Sequence, residues 1–410
     1  MDRELHVLLA GDPDILVGRL WARVRGARES ASFEYAPAWL ARSDTFPIDA
    51  ELPLGTGRTH TERPLFNAFM DPAPDRWGQT LLRRHERARA KAAGRAPRTL
   101  FHADFLALVD DETRLGALRF RDPGATTFST EGSGVPPLVQ LPRLLRAASA
   151  VIADEERDED LALLLAPGTS LGGARPKASV RRPDGTLAIA KFPSKDDEWP
   201  VTTWEATTLA LARSAGIVTP RSELVAVARR PVLVVDRFDR DGVRRHPYMS
   251  ALTALAARDG DVRSYVEIAD AIRAIGNSVR DDLAQLWRRV VFNILASNTD
   301  DHLRNHGFLR ARNGWALSPA FDLNPMPVDV RPRVHALAID EVDQTSSIEL
   351  AMSVAASFGL AVKTAKEIVR GVERATRSWR TTASKHGLTK AQIERMASAF
   401  EHDERARAAK

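Results

Sequence analysis

The residues Leu283, Leu286, Trp287, Val290, Val291, Ile294 and Leu295 fall at i, i+3, i+4, i+7, i+8, i+11 and i+12. Only a period of 3.6 brings these positions to one face, so the spacing predicts a helix over 280–297 with one buried stripe. Such a helix must lie against a core, and it therefore delivers the residues after it to a fixed point. Those residues are Asn298-Thr299-Asp300-Asp301-His302-Leu303-Arg304-Asn305. Residues 307–311 and 315–317 then bracket Arg312-Asn313-Gly314, where Asn-Gly is the strongest two-residue hairpin signal, and Pro319-Ala320-Phe321-Asp322-Leu323 comes next.

A chain of 410 residues is too long for one ordinary core and predicts two or three domains. With 44% apolar and 28% charged residues it reads as globular throughout. Cysteine is absent, which excludes disulfides and thiolate metal sites and fits a reducing cytoplasm. The opening Met1-Asp2-Arg3-Glu4-Leu5-His6 is soon interrupted by charge. No apolar run approaches the roughly 18 residues of a membrane span, so neither a secretion signal nor a span is expected. A net charge of +5 and a pI of 9.7 permit an anionic partner, but the basic residues are dispersed. Nine Lys stand against fifty Arg, which makes each lysine easier to single out.

In chain order, residues 5–10 and 15–21 flank Gly11-Asp12-Pro13-Asp14 and predict an opening β-hairpin. A small mixed module without an obvious catalytic cluster comes next, then an Arg- and Ala-rich helix from about Pro74 to Ala93. Phe128 to Pro137 has linker composition and places a domain boundary. A helix from about Leu141 carries the acidic run 154–160, read as solvent-exposed. From Gly168 the texture changes to a small-residue loop, Thr169-Ser170-Leu171-Gly172-Gly173-Ala174-Arg175-Pro176-Lys177, leading into a hairpin around Pro183-Asp184-Gly185 whose second strand ends on Lys191. A helix over 201–215 with Glu205, then strands over 223–229 and 231–238, completes this region.

Phosphoryl transfer needs positive charge on the phosphates, a carboxylate near the incoming hydroxyl and oxygen ligands for Mg²⁺. Paired Gly172 and Gly173 let backbone N–H groups approach phosphate oxygens, and Lys177 and Lys191 supply charge. Protein kinases place an aspartate and an asparagine five apart, then a hairpin, then a metal-binding aspartate. Asp300, Asn305 and Asp322 have that order. In the same comparison Glu205 pairs with Lys191, and Val235 to Phe238, including Asp236, is the hinge that meets adenine. His302 lacks a second histidine at ligand spacing and is expected to be a structural hydrogen-bonding residue. Asp301 is expected to stabilise the fold.

The motifs Ser170 to Lys177, Ala188-Ile189-Ala190-Lys191-Phe192-Pro193, Val235 to Arg240, Asn298 to Asn305 and Ser318 to Asp322 together closely resemble the HipA family of bacterial toxin kinases. Phe33 to Leu40 and Asp71 to Leu82 resemble that family's amino-terminal subdomain, so the likeness spans essentially the whole chain. The resemblance implies an α+β fold, with a kinase-like two-lobed catalytic region, a mostly helical C-terminal lobe and an N-terminal mixed subdomain. The expected division is 1–135, 136–240 and 241–410. It further implies an ATP- and Mg²⁺-dependent serine/threonine kinase acting as the toxin of a type II toxin-antitoxin pair, with a small helix-turn-helix, HipB-like antitoxin as partner. DNA contact would be indirect, through the antitoxin, and the best-known target of the family is glutamyl-tRNA synthetase. By position Asp300 is the catalytic base, Asn305 and Asp322 are the Mg²⁺ ligands, Lys191 is the phosphate lysine and Ser170 is an autophosphorylation site. Phosphate on Ser170 would add roughly −1.5 to −2 charges beside the ATP phosphates and expel the loop.

Two departures stand out: Asp301 replaces a glycine of some relatives, and Arg175-Pro176 replaces Gln-Glu. Two other readings share these residues. One is a kinase-fold binding subunit acting as an antitoxin-bound co-repressor, which intact Lys191, Asp300, Asn305 and Asp322 argue against. The other is a small-molecule phosphotransferase, which gives no reason for a serine in the Gly-rich loop.

Overall fold

The computed structural model describes residues 2–128, 134–165 and 173–409. Ser170 and Gly172 therefore lie outside the described residues. The chain forms two compact units, Met1–Lys195 with Asp239–Met249, and Asp196–Phe238 with Ser250–Lys410.

The first unit is built on an antiparallel sheet in the order Arg58–Thr61, Arg28–Tyr35, Ile15–Arg25, Asp2–Leu9, Leu118–Arg121. The opening hairpin is present, with Leu5 opposite Leu20 and Leu20 opposite Phe33. Alternation puts Leu5, Val7, Leu20, Phe33 and Tyr35 into the core. Phe33 and Phe120 both pack on Phe69, at ring-centroid distances of 5.3 and 5.9 Å. Gly18 is required by close approach: a Cβ there would lie 2.3 Å from the Glu34 carbonyl oxygen and 2.5 Å from the Phe33 ring.

The Arg-rich segment is the helix Arg76–Ala92, whose N-terminus is capped by Asp75 accepting from the Gly78 N–H at 2.8 Å. The acidic run is not a continuation of the helix before it. That helix, Leu141–Ala153, stops where Asp154 turns left-handed at φ 58°, and Asp158, Glu159 and Asp160 open a new one, Asp158–Leu165. Three carboxylates in a first turn suit the positive end of the helix dipole. Arg84 also bonds Asp154 and Glu156, so only part of the run is a solvated face. The expected hairpin comes next in the chain, as strands Lys177–Arg181 and Leu187–Lys191.

The second unit is mostly helical. Its β-structure includes the hairpins Ser222–Val227 with Arg230–Asp236 and Gly307–Arg310 with Trp315–Leu317, the latter closed by Ala311 N–H on the Gly314 carbonyl at 2.9 Å. The helix Val279–Leu295 buries its stripe completely: Leu286, Trp287, Val290, Val291, Ile294 and Leu295 are all solvent-inaccessible. At about 1.5–3 kcal/mol per large apolar side chain, this stripe is a principal source of the unit's stability. Trp204, Trp379 and Phe400 form a second apolar nucleus, with Trp379 and Phe400 stacked at 4.8 Å. Among the described residues no helix is long and apolar enough to cross a membrane.

Candidate active site

The helix Val279–Leu295 carries Asp281 and Asp282 in its first turn, and Asp282 accepts from the Leu317 N–H at 3.1 Å. Its start is thereby tied to the hairpin beyond the loop. At its other end Ser297 takes a left-handed φ of 47°, and the Asn298 N–H reaches back to the Asn293 carbonyl at 2.9 Å. The chain thus turns sharply into residues 299–306, with a single 3₁₀ turn, Leu303–Asn305, at the end.

Within this loop the residues alternate between solvent and core. The Asp300 side chain is 63% exposed and meets the Arg331 guanidinium at 2.6 Å. An ion pair so open to water is weak and leaves the carboxylate accessible. Asp301 points the other way and is buried. One of its oxygens, Oδ2, accepts from Tyr265 Oη at 2.7 Å, Asn293 Nδ2 at 2.7 Å and His306 Nε2 at 2.8 Å. Burial alone would raise the Asp301 carboxyl, but the facing His306 and the bonds from His306 and Tyr265 outweigh it and hold it below its usual value. Burial, with the Asp301 charge, pushes the Tyr265 hydroxyl well up.

Asn305 is buried and donates from Nδ2 to the Asp300 carbonyl at 3.4 Å, so the end of its amide able to bind a cation is Oδ1. Asp322 stands at φ 57°, a conformation uncommon outside glycine and favoured at sites that must re-aim a side chain. It accepts from Asn324 Nδ2 at 3.1 Å. Next to it Phe321 stacks on Phe238 at 5.4 Å, and Phe238 lies just past the strand that Asp236 ends. Glu205 is buried on the helix Val201–Ser214, not a solvated helical glutamate.

In the first unit Gly173 has φ 95°, which only glycine adopts readily. Lys177 lies opposite Lys191 in the hairpin, so the two lysines face the same side. Asp75 relieves their repulsion: its Oδ2 is 2.5 Å from Lys177 Nζ, and both side chains are buried. Lys177 Nζ also donates to the Gly173 carbonyl at 3.2 Å, and Trp77 Nε1 donates to the Lys177 carbonyl at 3.0 Å. Lys177 thus anchors the end of the Gly-rich loop to the helix Arg76–Ala92. Lys191 ends its strand partly buried.

The structural histidine of the 298–306 loop is His306, not His302, which is exposed. Sequence reasoning also passed over Asn293, Asn298, Asn324, Tyr265, Asp75 and Arg331. A visible signal existed for Asn293, an amide two residues short of the end of the helix Val279–Leu295 and next to its buried stripe.

For Mg²⁺ the donor chemistry fits. Asn305 and Asp322 offer oxygen only, and among the described residues no group of three or more His, Cys, Asp or Glu is placed to hold a metal. Two protein oxygens completed by phosphate and water suit Mg²⁺ and not a zinc-type site.

Comparison with known proteins places the chain in a family. Residues 169–379 match the HipA-like C-terminal domain and residues 5–121 the HipA N-terminal domain. The candidate kinase Y4mE of Sinorhizobium fredii is 26% identical over 328 residues, 71% of each chain. A candidate kinase of Haemophilus influenzae is 28% identical over 142 residues, 30% of this chain and 41% of that protein. Among solved structures, HipA in a complex of the Shewanella oneidensis toxin-antitoxin system with HipB and operator DNA superposes with a TM-score of 0.66 at 17% identity, covering 99% of this chain and 96% of that one. The fold is therefore the α+β, kinase-like class expected from the sequence. The chain belongs to the HipA family, and its relatives support a HipA-type kinase.

Proposed function

We propose that this chain is an ATP- and Mg²⁺-dependent serine/threonine protein kinase of the reducing cytoplasm and the toxin of a type II toxin-antitoxin pair. The observation that carries the kinase reading is the loop 298–306, which presents Asp300 to solvent while Asp301 and His306 fix it to buried helices. In this reading Asp300 accepts the proton of the attacking hydroxyl, a role worth roughly 10² to 10⁴ in rate. Asn305 and Asp322 hold Mg²⁺, whose chemistry when bound is to neutralise charge on the transferred phosphoryl group. Lys191, with Glu205 as its carboxylate, and the backbone at Gly172 and Gly173 bind phosphates. Lys177 keeps that loop's end in place, and Asp236 to Phe238 meet adenine.

The Shewanella relative was solved with HipB and operator DNA. By that likeness we extend the reading to a helix-turn-helix antitoxin partner that brings the kinase to DNA indirectly. The substrate class is a translation component, with glutamyl-tRNA synthetase the first to try, and Ser170 is the self-limiting phosphorylation site. The three-part division at 135 and 240 is retained as the proposed domain organisation.

Peptide mapping by mass spectrometry after incubation with Mg·ATP, alone and with the synthetase, tests the assignment. Phosphate on serine or threonine of a protein, and on Ser170 in the kinase itself, is expected. Turnover only with small hydroxyl compounds would favour the small-molecule phosphotransferase.

A further inference from the structure

Behind the exposed Asp300 and the half-buried Asp322 runs a chain of side-chain hydrogen bonds that the assigned roles do not use. It starts at the Asn324 backbone N–H, which donates to Asn298 Oδ1 at 3.1 Å. Asn298 Nδ2 donates to Asn293 Oδ1 at 3.0 Å, and Asn293 Nδ2 donates to Asp301 Oδ2 at 2.7 Å. At one end Asp301 is bonded to His306, the neighbour of Asn305. At the other, Asn324 Nδ2 donates to Asp322 Oδ1 at 3.1 Å. Asn293 and Asn298 are each 1% exposed, so water does not compete for these bonds.

The chain has one permitted direction. A backbone N–H can only donate, so the Asn298 atom facing it is the oxygen and the atom facing Asn293 is the nitrogen. The same logic makes Asn293 accept on one side and donate on the other, and the carboxylate of Asp301 is the acceptor on which such a chain must end. Each link between the asparagines and Asp301 is made with good geometry, while Asn324 Oδ1 and His306 Nδ1 at the two ends have no partner among the described residues. The network joins the residue beside Asn305 to the residue that holds Asp322, while Asn305 and Asp322 themselves are 17 residues apart in sequence.

We propose that Asn298, acting through Asn293 with Asp301 and through Asn324, is a positioning residue that fixes the two Mg²⁺ ligands relative to one another. This rests on the kinase reading above. Partners that orient ligands from behind typically change metal affinity or activity 10- to 100-fold when removed. A residue that merely fills space would instead lower the folded fraction and leave the affinity of the folded protein unchanged.

The test reads Mn²⁺ binding in the presence of ATP by electron paramagnetic resonance, alongside the Mg²⁺ concentration for half-maximal transfer and the melting temperature. Asn298→Ala is expected to weaken both metal constants at least about 10-fold, with ATP affinity in the absence of divalent cation unchanged. A second variant keeps the idea falsifiable should that one not fold. Asn324→Ala removes the bond to Asp322 Oδ1 and leaves the backbone N–H facing Asn298 in place, so it should weaken Mn²⁺ binding too. Wild-type metal constants in folded Asn298→Ala, or in Asn324→Ala, overturn the proposal. A wild-type protein that fails to bind Mn·ATP overturns the kinase reading itself.

Discussion

His335 shows at the scale of one residue how closely the second unit is packed around its loop. It is 1% exposed, bonds Ser346 Oγ through Nε2 at 3.1 Å, and burial pushes its pKa from 6.5 down to about 4. The folded protein keeps this imidazole neutral where the unfolded chain would protonate it. Its contribution to stability is therefore complete above pH 6.5 and is lost as pH falls toward 4. His386 and His402, also shifted down by burial, add to the same trend. His335→Gln should flatten the fall in unfolding free energy between these limits by roughly 2–3 kcal/mol. Urea melts at a series of pH values measure it, and a slope equal to wild type would remove His335 from the account. Asp301 is shifted in the same direction, against burial and through His306 and the bonds it accepts: its contribution is present above the ordinary carboxylate range and is lost as pH falls below it.

At the scale of elements, the helix Val279–Leu295, the Asn-Gly hairpin and the order of strands around Lys191 were legible because periodicity and turn chemistry are local properties. The acidic run misled because charge alone does not say where a helix stops; the left-handed Asp154 does, and that is set by packing. The polar chain through Asn293, Asn298 and Asn324 was not legible either, since it depends on the turn after the helix and on the link from Asn298 to Asn324, 26 residues on. The same holds for Asp75 with Lys177, which are 102 residues apart. Breaking one partner of this buried pair by Asp75→Ala should destabilise the first unit by about 3–5 kcal/mol, because the buried Lys177 ammonium loses the carboxylate that faces it. Replacing both, as Asp75→Leu with Lys177→Met, should recover most of the loss. A chemical denaturation midpoint unchanged in the single variant, or no recovery in the double, would show that the pair does not hold the loop.

For the whole molecule, the proposed site residues Gly173, Lys177 and Lys191 lie in the sequence of the first compact unit, and Glu205, Asp236, Phe238, Asp300, Asn305 and Asp322 in that of the second. The family was legible because several short motifs in one order constrain a chain far more than any one of them. What they left open is the surface that selects a substrate, which carries no local signature. The central claim is that Asp300 is the base of a phosphoryl-transfer site. It is tested most directly by the initial rate of phosphoryl transfer from γ-labelled ATP to protein, comparing wild type with Asp300→Ala under saturating Mg·ATP. The account predicts a fall of about 10² to 10⁴ with ATP affinity retained; label transferred by the variant at the wild-type rate would contradict it.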